Sequence, residues 1–401
     1  MTATPTLPLI DRTALSAFVA LLGPQVWTMR TAEITAQAAS GSRAGQALRE
    51  RQYIQVAIEQ LRRSGARRIS TMGYHIADLA AQVVALSRQL SPAGRARFDT
   101  ALNSAMRGEA TLVPVFHLLR TATVHRARGF KVRFAGLEDG APFDLLVSRD
   151  HAEAEIVCEV VSAEEGRRLH RGAWLRLADR IDPDLQTWLA AHPSRFLLKI
   201  TLPNGLRAAE DDRLTALHGR ICAMLEAERR LEHSNAVVLR LDPLWRTAGQ
   251  SNGPGLICRL REEFGPEAHW SVTSVGEAVF VMAARAGRQN EIAAAVRRRM
   301  ASVAPTRLTG TRPGILAMFI DDLDRGEWHA LRERMDLESE ARQFLLQPLA
   351  AHVVAVTCAS RMEMFGMPEP DAAPGRELRF RNPAHPAARD AALAPAVRSS
   401  G

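Results

Sequence analysis

The chain has 401 residues, 46% of them apolar, enough for two or three domains with sizeable cores. No apolar run approaches the ~18 residues of a membrane helix, and the first residues carry no basic leader, so neither a membrane partner nor a signal peptide is expected. The net charge of +8 is uneven: 16 arginines face seven acids up to residue 128, and beyond it basic and acidic residues nearly balance.

That excess suggests a polyanion such as nucleic acid, bound through the N-terminal basic helices. A solvated helical face explains a charge of this size equally well. Cys158, Cys222, Cys258 and Cys358 lie far apart in apolar contexts and form no CxxC, which points to buried free thiols in a reducing cytoplasm.

Residues 1–110 read as a helical bundle. Thr13 caps a helix with Leu15, Phe18, Val19 and Leu22 on one side, stopped at Gly23-Pro24. A second helix runs from Gln46 to Arg63. A third opens at Ser70-Thr71 and carries Ile76, Leu79, Val83 and Leu86. A fourth opens at Ser91-Pro92, a cap followed by proline at the first helical position, and closes at Gly108. Short links favour antiparallel packing. Arg62, Arg63, Arg67 and Arg68 gather where the second helix ends, placed for phosphate or simply for the helix dipole.

Residues 111–245 change character. Leu112 to Arg128 is helical, and Phe130 to Ala135 alternates as a half-buried strand. A loop through Asp139-Gly140 leads to a second strand, Phe143–Arg149, and a third, Ala154–Val161. These two strands carry Asp144 and Glu159, acids in apolar surroundings where an unpaired carboxylate is costly. A long helix follows Gly166, and Phe196–Leu202 reads as a fourth strand. Residues 246–365 continue as an α/β extension, with strands at 270–275, 277–284, 315–320 and 353–358. From 366 to 401, six prolines and little apolar content predict a disordered tail.

The order helix, three strands, helix, strand, with an acid on each of the second and third strands, resembles the PD-(D/E)XK nuclease superfamily. The resemblance covers residues 111–202, and the fold class it implies is α/β with a restriction endonuclease-like core. Asp144, in Phe-Asp-Leu-Leu-Val, takes the place of the family's second-strand Asp. Glu159, in Glu-Val-Val-Ser, takes that of the third-strand Glu. Such a pair implies Mg²⁺ held by Asp144 and Glu159, and metal-dependent phosphodiester hydrolysis on nucleic acid.

The chain departs from the family at two places. The lysine of Glu-x-Lys falls on Val161, and the first-helix acid falls on His117, in Phe116-His117-Leu118. Val161 can neither orient nor deprotonate water. Lys199, on the fourth strand, is the candidate replacement, ahead of the outward Lys131; Arg167 and Arg168 are too basic to take a proton. The alternative is a catalytically inactive nuclease-fold module that binds nucleic acid, a protein partner or a second copy of itself.

Elsewhere, Asp321, Asp322 and Asp324 follow a strand, and Asp324 three residues before Glu327 reads as a helix cap. The histidines show no HxxxH or HExxH spacing, so no zinc site is expected.

Overall fold

The computed structural model describes residues 12–39, 42–63, 70–207, 210–243, 264–265 and 268–399. In chain order the elements begin with helices α1 (Arg12–Leu22), α2 (Pro24–Ala39), α3 (Arg43–Arg51), α4 (Tyr53–Arg63), α5 (Thr71–Gln89), α6 (Pro92–Arg107) and α7 (Val113–Ala127). Strands β1 (Lys131–Arg133), β2 (Leu145–Arg149) and β3 (Ala152–Ser162) follow, with α8 (Ala135–Glu138) after the first. Next come α9 (Arg171–Ala191), β4 (Arg195–Leu202), α10 (Asp211–Glu226), β5 (Leu231–His233), β6 (Val238–Pro243), β7 (His269–Val275) and β8 (Ala278–Ala286). The chain ends with α11 (Ile292–Arg307), β9 (Gly314–Asp321), α12 (Arg325–Glu333), α13 (Asp336–Leu345), β10 (Val353–Ser360), α14 (Arg361–Met364), β11 (Leu378–Arg381) and α15 (Ala394–Val397). The protein is α/β.

The chain divides into two units. Unit 1 takes Met1–Gln37, Arg49–Ala163 and Ala293–Gly401; unit 2 takes Ala38–Leu48 and Glu164–Ile292. Unit 1 is built on a six-stranded mixed sheet in the order β1-β2-β3-β9-β10-β11. β1, β2 and β3 form an antiparallel meander, β9 runs parallel to β3, β10 parallel to β9, and β11 closes the edge antiparallel to β10. Every residue of β9 and β10 is buried, as continuous apolar strands covered on both faces should be.

Unit 2 holds a five-stranded sheet in the order β5-β6-β4-β8-β7. Its own core joins Trp174, Ile181 and Leu185 of α9 to Ile221 and Met224 of α10 and to Leu198, Ile200 and Phe280 of the sheet.

Three sequence expectations differ from this arrangement. The fourth strand at 196–202 is β4, which lies in the sheet of unit 2; the strand beside β3 is β9. Residues 164–292 are therefore an insertion after β3, and neither 110 nor 245 is a boundary. Phe18, Phe98, Phe116, Ile156 and Phe319 share one core, so the early helices pack on the unit 1 sheet and do not form a bundle of their own. The tail expected to be disordered is ordered as far as residue 399: β11 pairs with β10, and Leu393, Ala396 and Val397 are buried in that same core.

At the helix ends, Ser70 and Ser91 accept from the Gly73 and Gly94 amides, as their positions predict. The helix expected over 46–63 is broken at Gln52 into α3 and α4. Arg62 and Arg63 both pair with Glu59, which favours their reading as helix-end charges over phosphate ligands. Arg67, Arg68 and Cys258 lie outside the described residues.

Candidate functional site

Asp144 is the residue just before β2, where the strand turns away from its partner. Its amide still donates to the Ile156 carbonyl at 3.0 Å, but its own carbonyl is turned to the Gly136 amide. The ladder amide of Cys158 is taken instead by the Asp144 carboxylate, Oδ2, at 2.7 Å. Glu159 is the next residue along β3.

The two acids meet at Arg307, the last residue of α11. Arg307 Nη2 donates to Asp144 Oδ1 at 2.9 Å, and Nη1 reaches Glu159 Oε2 at 3.4 Å. Its Nε donates to the Pro142 carbonyl at 2.6 Å, so all three guanidinium nitrogens are engaged. Arg299, two turns earlier on α11, approaches Glu159 Oε1 at 3.5 Å. Burial raises the Asp144 carboxyl above its ordinary value, while Arg307 and the Cys158 amide pull it back.

Two carboxylates therefore face two guanidiniums. A hard divalent cation needs carboxylate oxygens free to coordinate. Here both Asp144 oxygens accept hydrogen bonds and both Glu159 oxygens face arginine, so with these side chains as placed Mg²⁺ does not fit.

The other expected residues lie elsewhere. Val161 is fully buried, an apolar side chain where the family carries lysine. Lys199 belongs to the unit 2 sheet and pairs with Asp242 at 3.1 Å. His117 is buried on α7, where its Nε2 bonds the Ala317 carbonyl at 2.9 Å and its ring packs against Phe319. Phe319 shares the Ile156 face of the sheet, and side chains alternate along β3, so Glu159 points to the opposite face. Burial holds His117 down at about 4, a neutral ring at physiological pH.

No family model matches the chain, and no curated protein or solved structure matches it. No described helix is long and apolar enough to cross a membrane.

The sequence marks Arg299 only as one of three arginines, with Arg297 and Arg298, on a basic helix over Gln289–Val303, and it does not mark Arg307. The available signal is a pair of arginines on one helix, two turns apart, ahead of a largely apolar strand. The Asp324 cap is present: its carboxylate accepts from the Glu327 amide, and Glu327 reaches back to the Asp324 amide. Asp322 accepts from Ser162 Oγ, and Asp321 is buried at the end of β9.

Proposed function

We propose that unit 1 is a nuclease-like module that binds nucleic acid and does not cleave it at an appreciable rate. The connectivity supports the fold part of this reading. Helix α7, the meander β1-β2-β3, helix α11 and the parallel strand β9 follow the order of the PD-(D/E)XK core, with residues 164–292 inserted between its third strand and second helix. Asp144 and Glu159 fall where that family has its acids.

The observation that carries the functional part is the Arg307 guanidinium seated between those acids. With Arg299 it balances the charge of the pair, and a guanidinium is too basic to serve as the base that activates water. Val161 adds no lysine, and His117 is turned to a backbone carbonyl. The net arginine excess up to residue 128 supplies the charge that a phosphate backbone would recognise.

Metal-dependent hydrolysis is the second reading, favoured by the convergence of Asp144 and Glu159 on one point. One experiment separates the two. Fluorescence anisotropy of labelled DNA and RNA across a salt series should show binding that weakens steeply; about six phosphate contacts correspond to roughly a 10³-fold loss for a fourfold rise in salt. A parallel cleavage assay with Mg²⁺ or Mn²⁺ should show no turnover in the wild type, D144N, E159Q or R307M. Wild-type cleavage lost in D144N and E159Q would establish the second reading. Absence of binding even at low salt would end the nucleic-acid assignment.

A further inference from the structure

Unit 2 contains a cluster of metal-binding side chains that the nuclease-like reading does not use. Asp184 lies on α9; His218 and Cys222 lie one turn apart on α10, and so on one face of that helix. Each offers one ligand atom, and the three atoms lie within 4.8 Å of one another. His218 Nε2 and Asp184 Oδ2 are 2.7 Å apart. No other group of three or more such side chains comes together in this way among the described residues. The spacing His218-x-x-x-Cys222 pairs an imidazole with a thiol, so HxxxH and HExxH patterns do not detect it.

We propose that Asp184, His218 and Cys222 form a Zn²⁺ site that clamps α9 to α10, with a fourth position open to water. The donor set argues for the metal. One imidazole nitrogen, one thiolate and one carboxylate suit Zn²⁺, whereas Mg²⁺ and Ca²⁺ take oxygen. Metal–ligand bonds of 2.0–2.3 Å in a tetrahedron put ligand atoms about 3.5 Å apart, so the Asp184–His218 pair opens slightly from 2.7 Å, and all three atoms, within 4.8 Å of one another, reach that spacing by side-chain shifts of about 1 Å. The thiolate and carboxylate charges balance the dication. Asp184 is exposed and the other two are partly exposed, which leaves the metal a way in.

The thiol is not set up as a nucleophile. Burial, then Asp184 and Glu226, push Cys222 up to about 11, so it is protonated at neutral pH unless a metal displaces the proton. An ordinary Asp184–His218 ion pair beside an unrelated thiol is the competing account, and it predicts no metal affinity.

The test uses the full chain after chelator treatment and gel filtration. Co²⁺ should bind one equivalent, with the intense visible bands of a tetrahedral site and a near-ultraviolet thiolate-to-cobalt charge-transfer band, and Zn²⁺ should displace it. C222S should abolish the charge-transfer band. H218A and D184N should each weaken Zn²⁺ binding by more than about tenfold in competition with a chromophoric chelator, since even outer-shell partners carry that much. C358S, which alters a thiol buried in unit 1, should change nothing. Circular dichroism verifies that each variant is folded, and the exposed D184N provides a readout should C222S misfold. No charge-transfer band in the wild type, or one that survives C222S, overturns the site.

Discussion

His117 and His125 are both buried on α7 and held at about 4 by burial, against an ordinary value of 6.5. Asp321 goes the other way: burial and then Asp322 push it up to about 6 from 3.8. The signs oppose. Each histidine takes a proton in the unfolded chain before it can in the fold, so its contribution is present above pH 6.5 and is lost as pH falls towards 4. Asp321 takes its proton first in the fold, so it costs stability above pH 6 and the cost disappears as pH falls to 3.8. Each shift corresponds to about 3 kcal/mol, and two histidines outweigh one aspartate. Asp321→Asn keeps an acceptor for the Asp322 amide and removes the buried charge. Urea unfolding should find it more stable than wild type at pH 7 by about 3 kcal/mol, with the gap closing below pH 4. A gap independent of pH would show that Asp321 is not a buried carboxylate of raised affinity for protons. Residues of this kind were partly legible in the sequence. The Asp324 cap could be read because its partner is three positions away, whereas Arg307 lies 163 positions from Asp144 and 148 from Glu159.

Among the elements, β4 and β9 show what periodicity can and cannot say. Both are short apolar runs, and periodicity marks both as strands. Which sheet each joins is decided by packing, and the chain places 129 residues, Glu164–Ile292, in unit 2 before returning to the first sheet. The C-terminal segment failed for a different reason. Its prolines and sparse apolar residues look like a chain unable to build a core, but Leu378–Arg381 needs only to add to an edge already present. Glu363 anchors this region. It is 4% exposed and accepts from the Ser360 amide and hydroxyl, from Trp328 Nε1 and from the Ala373 amide, at 2.6–3.0 Å. That one carboxylate ties the end of β10 to α12 and to the segment leading into β11. Glu363→Ala leaves four donors without their acceptor, two of them backbone amides and one an indole, and should cost about 3–5 kcal/mol in chemical denaturation. Glu363→Gln, which retains one acceptor oxygen, should fall between it and wild type. A loss below about 1 kcal/mol for the alanine variant would show that the donors find other partners.

At the scale of the molecule, each unit has a large core on its own sheet among the described residues. The two ends of the insertion come together: the Glu291 amide donates to the Gly166 carbonyl at 2.8 Å. Gly166 has no room for a side chain, because a Cβ there would lie 2.4 Å from Ile292 Cα. Closing a long segment at its base lets it fold as a body of its own, since the closure entropy rises only slowly with length. Separate cores predict separable unfolding. Ile200, fully buried in the unit 2 core, tests this. Ile200→Ala leaves a cavity worth about 2–5 kcal/mol. Native-state hydrogen exchange should then accelerate for the amides of β4, β6 and β8, while those of β3, β9 and β10 keep their wild-type rates. Equal acceleration in both sheets would mean that the two cores unfold as one, and the insertion would then be an integral part of a single cooperative domain.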